Sequence, residues 1–163
     1  MNIMEKPKLT KIVINAGIGD TLKSKEALAK IVADMAAITG QKPKITKARI
    51  SIAGFNLRAG MNVGLVVTLR GKCMNAFFEK LVKITLPRLR DFRGVRTTSF
   101  DNGGNYTLGV VDHTVFPEID LAKVDKARGM EITIVTNAKN KEQARELLET
   151  LGMPFEKAEK GNK

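Results

Sequence analysis

At 163 residues, with 43% hydrophobic and 5% aromatic side chains, the chain can build one modest core, so we expect a single domain over 1–163. Its lone cysteine, Cys73, excludes an internal disulfide, and with the lone His113 it makes a poor structural zinc site, which takes four Cys or His ligands. The net charge of +11 calls for a polyanionic partner; no apolar run approaches the roughly 20 residues that span a bilayer, and "MNIMEKP" lacks the apolar core of a signal peptide, so neither membrane nor export is expected.

Residues 1–40 hold six Lys or Arg against four acids. Within them "LTKIVINA", from Leu9, alternates as a strand does: Ile12 and Ile14 face one way, Lys11, Val13 and Asn15 the other. "INAGIGD" (14–20) follows this strand and invites a dinucleotide-binding reading. Leu22 stands where the third glycine of that fingerprint belongs, so a plain strand-to-helix turn is expected. The spacing of Leu28, Ile31, Val32, Met35 and Ile38 predicts a helix over 24–39, capped by Ser24 and stopped by a left-handed Gly40.

Residues 41–96 carry thirteen bases against two acids, so this middle third accounts for the whole excess of charge. A segregated basic block points to a polyanion, nucleic acid or an anionic membrane, the plainer alternative being a solvated face. Two strands are expected here, "PKITKARI" from Pro43 and "VGLVVTLR" from Val63. In the second, Leu65, Val67 and Leu69 oppose Thr68 and Arg70. The long loop between them, about 50–63, is small, apolar and basic, and loops of that length usually carry function. Met74, Phe77, Phe78, Leu81 and Val82 predict a core-facing helix over 72–86 that Pro87 ends. "LPRLRDFRGVR" then places Arg88, Arg90, Arg93 and Arg96 in nine residues, and arginine's planar fork suits phosphate; Asp91 is near enough in sequence to pair with one of them.

Residues 97–163 hold nine bases against eleven acids. "FDNGGNY" reads as a tight turn at Asn102–Gly103, followed by strands "YTLGVVD" from Tyr106 and "MEITIVT" from Met130. Between them Asp112, Glu118, Asp120 and Asp125 outnumber Lys123, an unlikely surface for RNA phosphates. His113 has no companion that would make it a general base, so an enzyme is not expected, nor any cofactor. A last helix, about 140–151, is expected to bury Ala144, Leu147, Leu148 and Leu151 and to stop at Gly152 and Pro154. The tail, about 157–163, reads as flexible.

These elements imply an α+β fold: a mostly antiparallel sheet with helices packed on one face and the other left open. The open face offers Lys11, Asn15, Lys44, Lys47, Thr68 and Arg70. With no aromatic residue on the basic strands, base stacking is not the main device; small polar groups and cations suit a folded RNA read through phosphates, 2′-hydroxyls and shape.

The segments "KIVINAGIGD", "ITGQKPKITKARISIAGFNLRAGMNVGLVVTLRG", "LPRLRDFRGV", "SFDNGGNYTLGV", "FPEID", "RGMEITIVT" and "MPF" occur in the order found in the bacterial form of ribosomal large-subunit protein five. The resemblance covers about nine-tenths of the chain. It implies a structural protein of the central protuberance of the large subunit, bacterial or bacterial-type and cytoplasmic, that binds 5S rRNA through a sheet face on which the polar trio falls on Asn15, Gln41 and Thr68. It also implies contact with 23S-type rRNA, a long loop that reaches P-site tRNA, and a bridge from the acidic 112–125 region to small-subunit head protein thirteen. In that loop Ser51, Gly54, Phe55, Arg58, Gly60 and Met61 are the expected contacts, with Leu57 a further apolar candidate. Relatives usually carry a further helical segment ahead of the first strand, and this sequence begins close to that strand. The alternative is a free-standing RNA-binding module, which sedimentation with large subunits would separate from a ribosomal protein.

Overall fold

The computed structural model describes residues 6–19, 24–124 and 126–156. Its elements in chain order are β1 (Leu9–Gly17), α1 (Lys25–Thr39), β2 (Lys44–Lys47), β3 (Asn62–Leu69), α2 (Gly71–Lys80), β4 (Tyr106–Val110), β5 (Met130–Thr136) and α3 (Lys141–Thr150). The strands form one antiparallel sheet in the order β2-β3-β1-β5-β4. The α+β fold read from the sequence is therefore the observed one. The flexible tail expected at 157–163, together with Leu22 and Asp125, lies outside the described residues.

Strand alternation decides which face is covered. Ile12, Ile14 and Ala16 of β1, Leu65, Val67 and Leu69 of β3, and Met130, Ile132 and Ile134 of β5 are all buried, and join one cluster with Ile31, Met35 and Ile38 of α1, Met74, Phe77 and Phe78 of α2, and Ala144 and Leu148 of α3. Each such fully buried aliphatic side chain contributes about 1.5–3 kcal/mol by leaving water. Helices α1, α2 and α3 thus supply one core on one side of the sheet, and the side chains between, from Lys11, Val13 and Asn15 to Thr133, stay exposed or half-buried.

Helix α1 starts and stops as expected. Ser24 accepts a bond from the Ala27 amide at 3.3 Å, and Gly40 leaves the helix with φ +69°. The second helix departs from expectation, because Pro87 does not end it. After α2 the backbone widens into a π-turn, Leu81–Thr85, and finishes in a 3-10 turn, Leu86–Arg88, that contains the proline. Widening the turn carries the preceding carbonyls away from the pyrrolidine ring, and the Thr85 hydroxyl approaches the Lys80 carbonyl at 3.5 Å.

Two smaller expectations are corrected and a third is refined. Strand pairing in the second strand stops at Lys47, where the register with β3 shifts. In α3, Leu148 and Ala144 are buried, but Leu147 is only half-buried and Leu151 is 43% exposed, because the chain leaves the helix at Leu151 and turns back through Gly152. In "FDNGGNY" the turn forms at Asn102–Gly103 as expected, closed by the Gly104 amide on the Asp101 carbonyl at 3.3 Å, and Gly104 itself is left-handed (φ +74°). There Asp101 accepts from both the backbone and side-chain amides of Asn105, at 2.8 and 2.7 Å. These bonds hold its carboxyl below the usual range. Gly104 is needed at that position, since a Cβ would also lie 3.2 Å from that of Ala138.

Candidate nucleic-acid interface

Pairing across the sheet arranges the open face in rows. Lys44 of β2 stands opposite Val66 of β3, which stands opposite Asn15 of β1, which stands opposite Glu131 of β5. The neighbouring row is Thr68, Val13, Thr133 and Thr107, its last two hydroxyls 3.3 Å apart. Lys11 lies one step further along β1, opposite Val135. Of the residues expected to bind RNA, Lys11, Asn15, Lys44 and Thr68 therefore share one face. Arg70 is exposed where β3 runs into α2. Lys47 sits beyond the register shift, exposed at the root of the long loop.

Gln41 joins this group through local chemistry. The buried Thr39 hydroxyl donates to the Met35 carbonyl at 2.7 Å and lies 2.9 Å from the carbonyl of Gln41, whose own amide reaches the same hydroxyl at 3.3 Å. So fixed, the Gln41 side-chain amide reaches the Thr68 carbonyl at 3.4 Å. Asn15, Gln41 and Thr68 are thus brought to one region from three elements. Thr39 was invisible as a positioning residue in the sequence, because a threonine late in a helix commonly bonds back to the preceding turn.

Sequence reasoning also missed Gly64. Opposite Thr46 and Gly17 in neighbouring strands, it occupies a position where a Cβ would come within 2.9 Å of the Thr46 hydroxyl and 3.2 Å of the Ala16 carbonyl. A side chain there would have to displace the Thr46 hydroxyl and crowd the Ala16 carbonyl of β1, so the glycine allows the close approach of the strands beneath the candidate site. An isolated glycine within a strand pattern was the available signal.

The loop at 51–64 is a finger with its own hydrogen bonding. Ile52 and Leu57 exchange backbone bonds at 2.8 and 3.1 Å around a single 3-10 turn, Ala53–Phe55, with Asn56 left-handed (φ 51°). At its base the Ala48 amide reaches the Met61 carbonyl (2.8 Å), the Gly60 amide reaches the Ala48 carbonyl (2.9 Å), and the Ser51 hydroxyl accepts from the Ala59 amide (3.0 Å). The Met61 sulfur lies 3.1 Å from the amide of Arg58. Of the expected contacts, Ser51, Gly60 and Met61 thus also brace the finger, whereas the Arg58 side chain and Gly54 are exposed and Phe55 is 78% exposed at the tip. Phe55 adds nothing to the core.

The basic block is continuous in sequence and divided in space. Arg88, Arg90 and Arg93 line a cleft of about 890 Å³ with Val111, Asp112 and Leu121 beside β4, the edge strand opposite β2. The Arg96 carbonyl accepts the Tyr106 hydroxyl at 2.7 Å, and its side chain is exposed. These four arginines do not join the open-face group. Asp91, which sequence proximity offered as a partner, pairs with none of them among the described residues.

The remaining candidates are structural. His113 is buried, its Nδ1 accepting from the Arg128 amide at 3.2 Å with Asp34 and Asp112 at 3.8 and 3.7 Å. Asp112 and Asp120 cap short 3-10 turns, and Glu118 pairs with Lys80 at 2.5 Å. Among the described residues no cluster of His, Cys, Asp and Glu could hold a metal, and no helix is long and apolar enough to cross a membrane.

Two family models match the chain. One, described as ribosomal protein L5, covers residues 2–58, and the other, described as the C-terminus of that ribosomal family, covers residues 62–155. The chain belongs to the ribosomal protein L5 family. It is accordingly a structural, rRNA-binding protein of the large ribosomal subunit that serves translation, and not an enzyme. The boundary between the two L5 matches falls at the end of the finger, yet the sheet ignores it: β1 and β2 come from the first, β3, β4 and β5 from the second.

Proposed function

We propose that this protein binds 5S rRNA in the central protuberance of a bacterial or bacterial-type large subunit, through the open face of β2, β3 and β1. The observation that carries this reading is the convergence of Asn15, Gln41 and Thr68 on one exposed region flanked by Lys11, Lys44 and Arg70. Neutral groups would meet sugar hydroxyls and base edges while the cations meet phosphate. The chain acts as one domain over 1–163, since strands from both matched segments alternate in one sheet. Replacing Asn15, Gln41 or Thr68 by alanine should each weaken 5S rRNA binding by about 1–3 kcal/mol where the group is buried against RNA. Unchanged affinity in all three variants, measured by filter binding, would remove the reading.

Three finer contacts complete it. The finger reaches P-site tRNA with Phe55 and Arg58 foremost, because its tip is exposed and makes no use of the core. Arg88, Arg90, Arg93 and Arg96, near the β4 edge of the sheet rather than the β2 edge, take 23S-type rRNA. The acidic 112–125 region meets head protein thirteen in a soft, salt-screened contact. Glu118 and Asp120 already have Lys80 and Lys123 as partners, so this last contact draws on weaker residual charge. Crosslinks from the segment that reach only rRNA would overturn it.

A further inference from the structure

One row of the open face ends in an acid, which a phosphate-binding surface ought to avoid. Glu131 stands opposite Asn15, and Gly109 of β4 stands opposite Glu131. Both Glu131 and Asn15 are exposed, and neither side chain has a hydrogen-bond or ion-pair partner among the described residues. Beside them lies a shallow, open concavity of about 360 Å³ lined by Asn15, Gly17, Gly109, Val111, Gly129 and Glu131. Its floor bears no side chains at the three glycines, and the space above Gly17 and Gly109 is empty to at least 4 Å from where a Cβ would be. At its rim Val111 is 89% exposed, the most exposed large apolar side chain of those described.

An unpaired carboxylate here would either fence RNA off or read N–H donors. We propose that it reads: the concavity takes one unstacked guanine of the bound RNA. Guanine is the base whose Watson–Crick edge sets two adjacent donors, N1–H and N2–H, beside an acceptor, O6. The two donors match the Glu131 carboxylate, which only accepts, and O6 matches the Asn15 amide. The glycine floor lets the flat ring approach the backbone, and Val111 packs against it. This site rests on the sheet-face reading above and adds a specific base to it.

The test is binding of the full chain to 5S rRNA at fixed salt, with Glu131→Ala and Glu131→Gln crossed against RNAs in which single unpaired guanosines are replaced by inosine, which lacks the N2 amino group. Glu131→Ala should weaken binding about tenfold, within the range of one bidentate base contact, and Glu131→Gln should weaken it too. One inosine position should weaken binding of the unaltered protein and add no further loss in Glu131→Ala. Equal or tighter binding by Glu131→Ala would show a fence and overturn the site, as would strict additivity at every inosine position. Melting curves matching the unaltered protein's exclude a folding defect. Failure of the unaltered protein to bind 5S rRNA would instead bring down the sheet-face reading itself.

Discussion

Tyr106 is the chain's only tyrosine, and its environment makes stability depend on pH in a predictable direction. It is buried between Phe100 and Phe155, 4.7 and 5.7 Å between ring centres, and donates to the Arg96 carbonyl. Burial is the largest influence on its phenol, which is pushed up to about 12 from 10.0. The folded protein therefore holds this proton more tightly than the unfolded chain does. Its contribution is complete below about pH 10 and is lost as pH rises through about 12, at about 1.4 kcal/mol per unit across that window. Tyr106→Phe should cost about 1 kcal/mol at neutral pH through the lost hydrogen bond, and its stability should fall less steeply above pH 10. Urea unfolding of both proteins from pH 7 to 11.5 checks this, and parallel curves would show the phenol is not responsible. At this scale the sequence was legible where a side chain's direction follows from strand period, as for Asn15 and Thr68. It was silent where a residue is placed by a neighbour: Gln41 reaches Thr68 with its backbone fixed by Thr39, and Glu131 stands beside Asn15 because β5 pairs with β1, a pairing that no local pattern encodes.

Among the elements, the finger separates function from stability most cleanly. It carries hydrogen bonds of its own and its tip side chain is in solvent, so Phe55→Ala should leave the melting temperature within about 1 °C, as exposed substitutions do. Phe77→Ala, at a buried position in α2, should cost about 3–5 kcal/mol. Shortening the finger to a tight hairpin should likewise spare folding and 5S binding and weaken tRNA protection on assembled ribosomes. A collapse of melting in the shortened variant would mean that the finger's hydrogen bonds support the β2–β3 pairing. The helices α1 to α3 and the strands β1, β3 and β5 were legible because hydrophobic period marks them strongly, whereas β2, with Ile45 its one apolar side chain, carries little such signal. Their ends were less so. The π-turn before Pro87 arises from a conflict between proline sterics and the burial of Leu81, Thr85 and Leu86, and the outcome depends on packing that the sequence does not display.

For the whole molecule, the division of the basic block makes two surfaces with separable salt dependence. Binding of RNA releases about one counterion per phosphate neutralised, so removing a cation that meets phosphate lowers the slope of log K against log salt by about 1. Lys44→Ala with Lys47→Ala should reduce the slope for isolated 5S rRNA. Arg88→Ala with Arg90→Ala should leave that slope unchanged and weaken incorporation into large subunits, because the arginines lie beside the opposite edge strand. Equal effects of both pairs on 5S rRNA would mean that one RNA wraps both edges.

The position of β1 also sets a timetable for synthesis. The earliest of the strands lies at the centre of the sheet, and its partner on one side, β5, is among the last elements made; Lys8 and Asn137, which close that pairing, are 129 residues apart. While the chain is being translated, β1 can pair with β3 but presents its other edge bare, a template for any stray strand. Contacts of such long range also slow folding. A protein destined for the ribosome thus emerges from one with its central strand half-paired, and completes its sheet only once β5 has emerged.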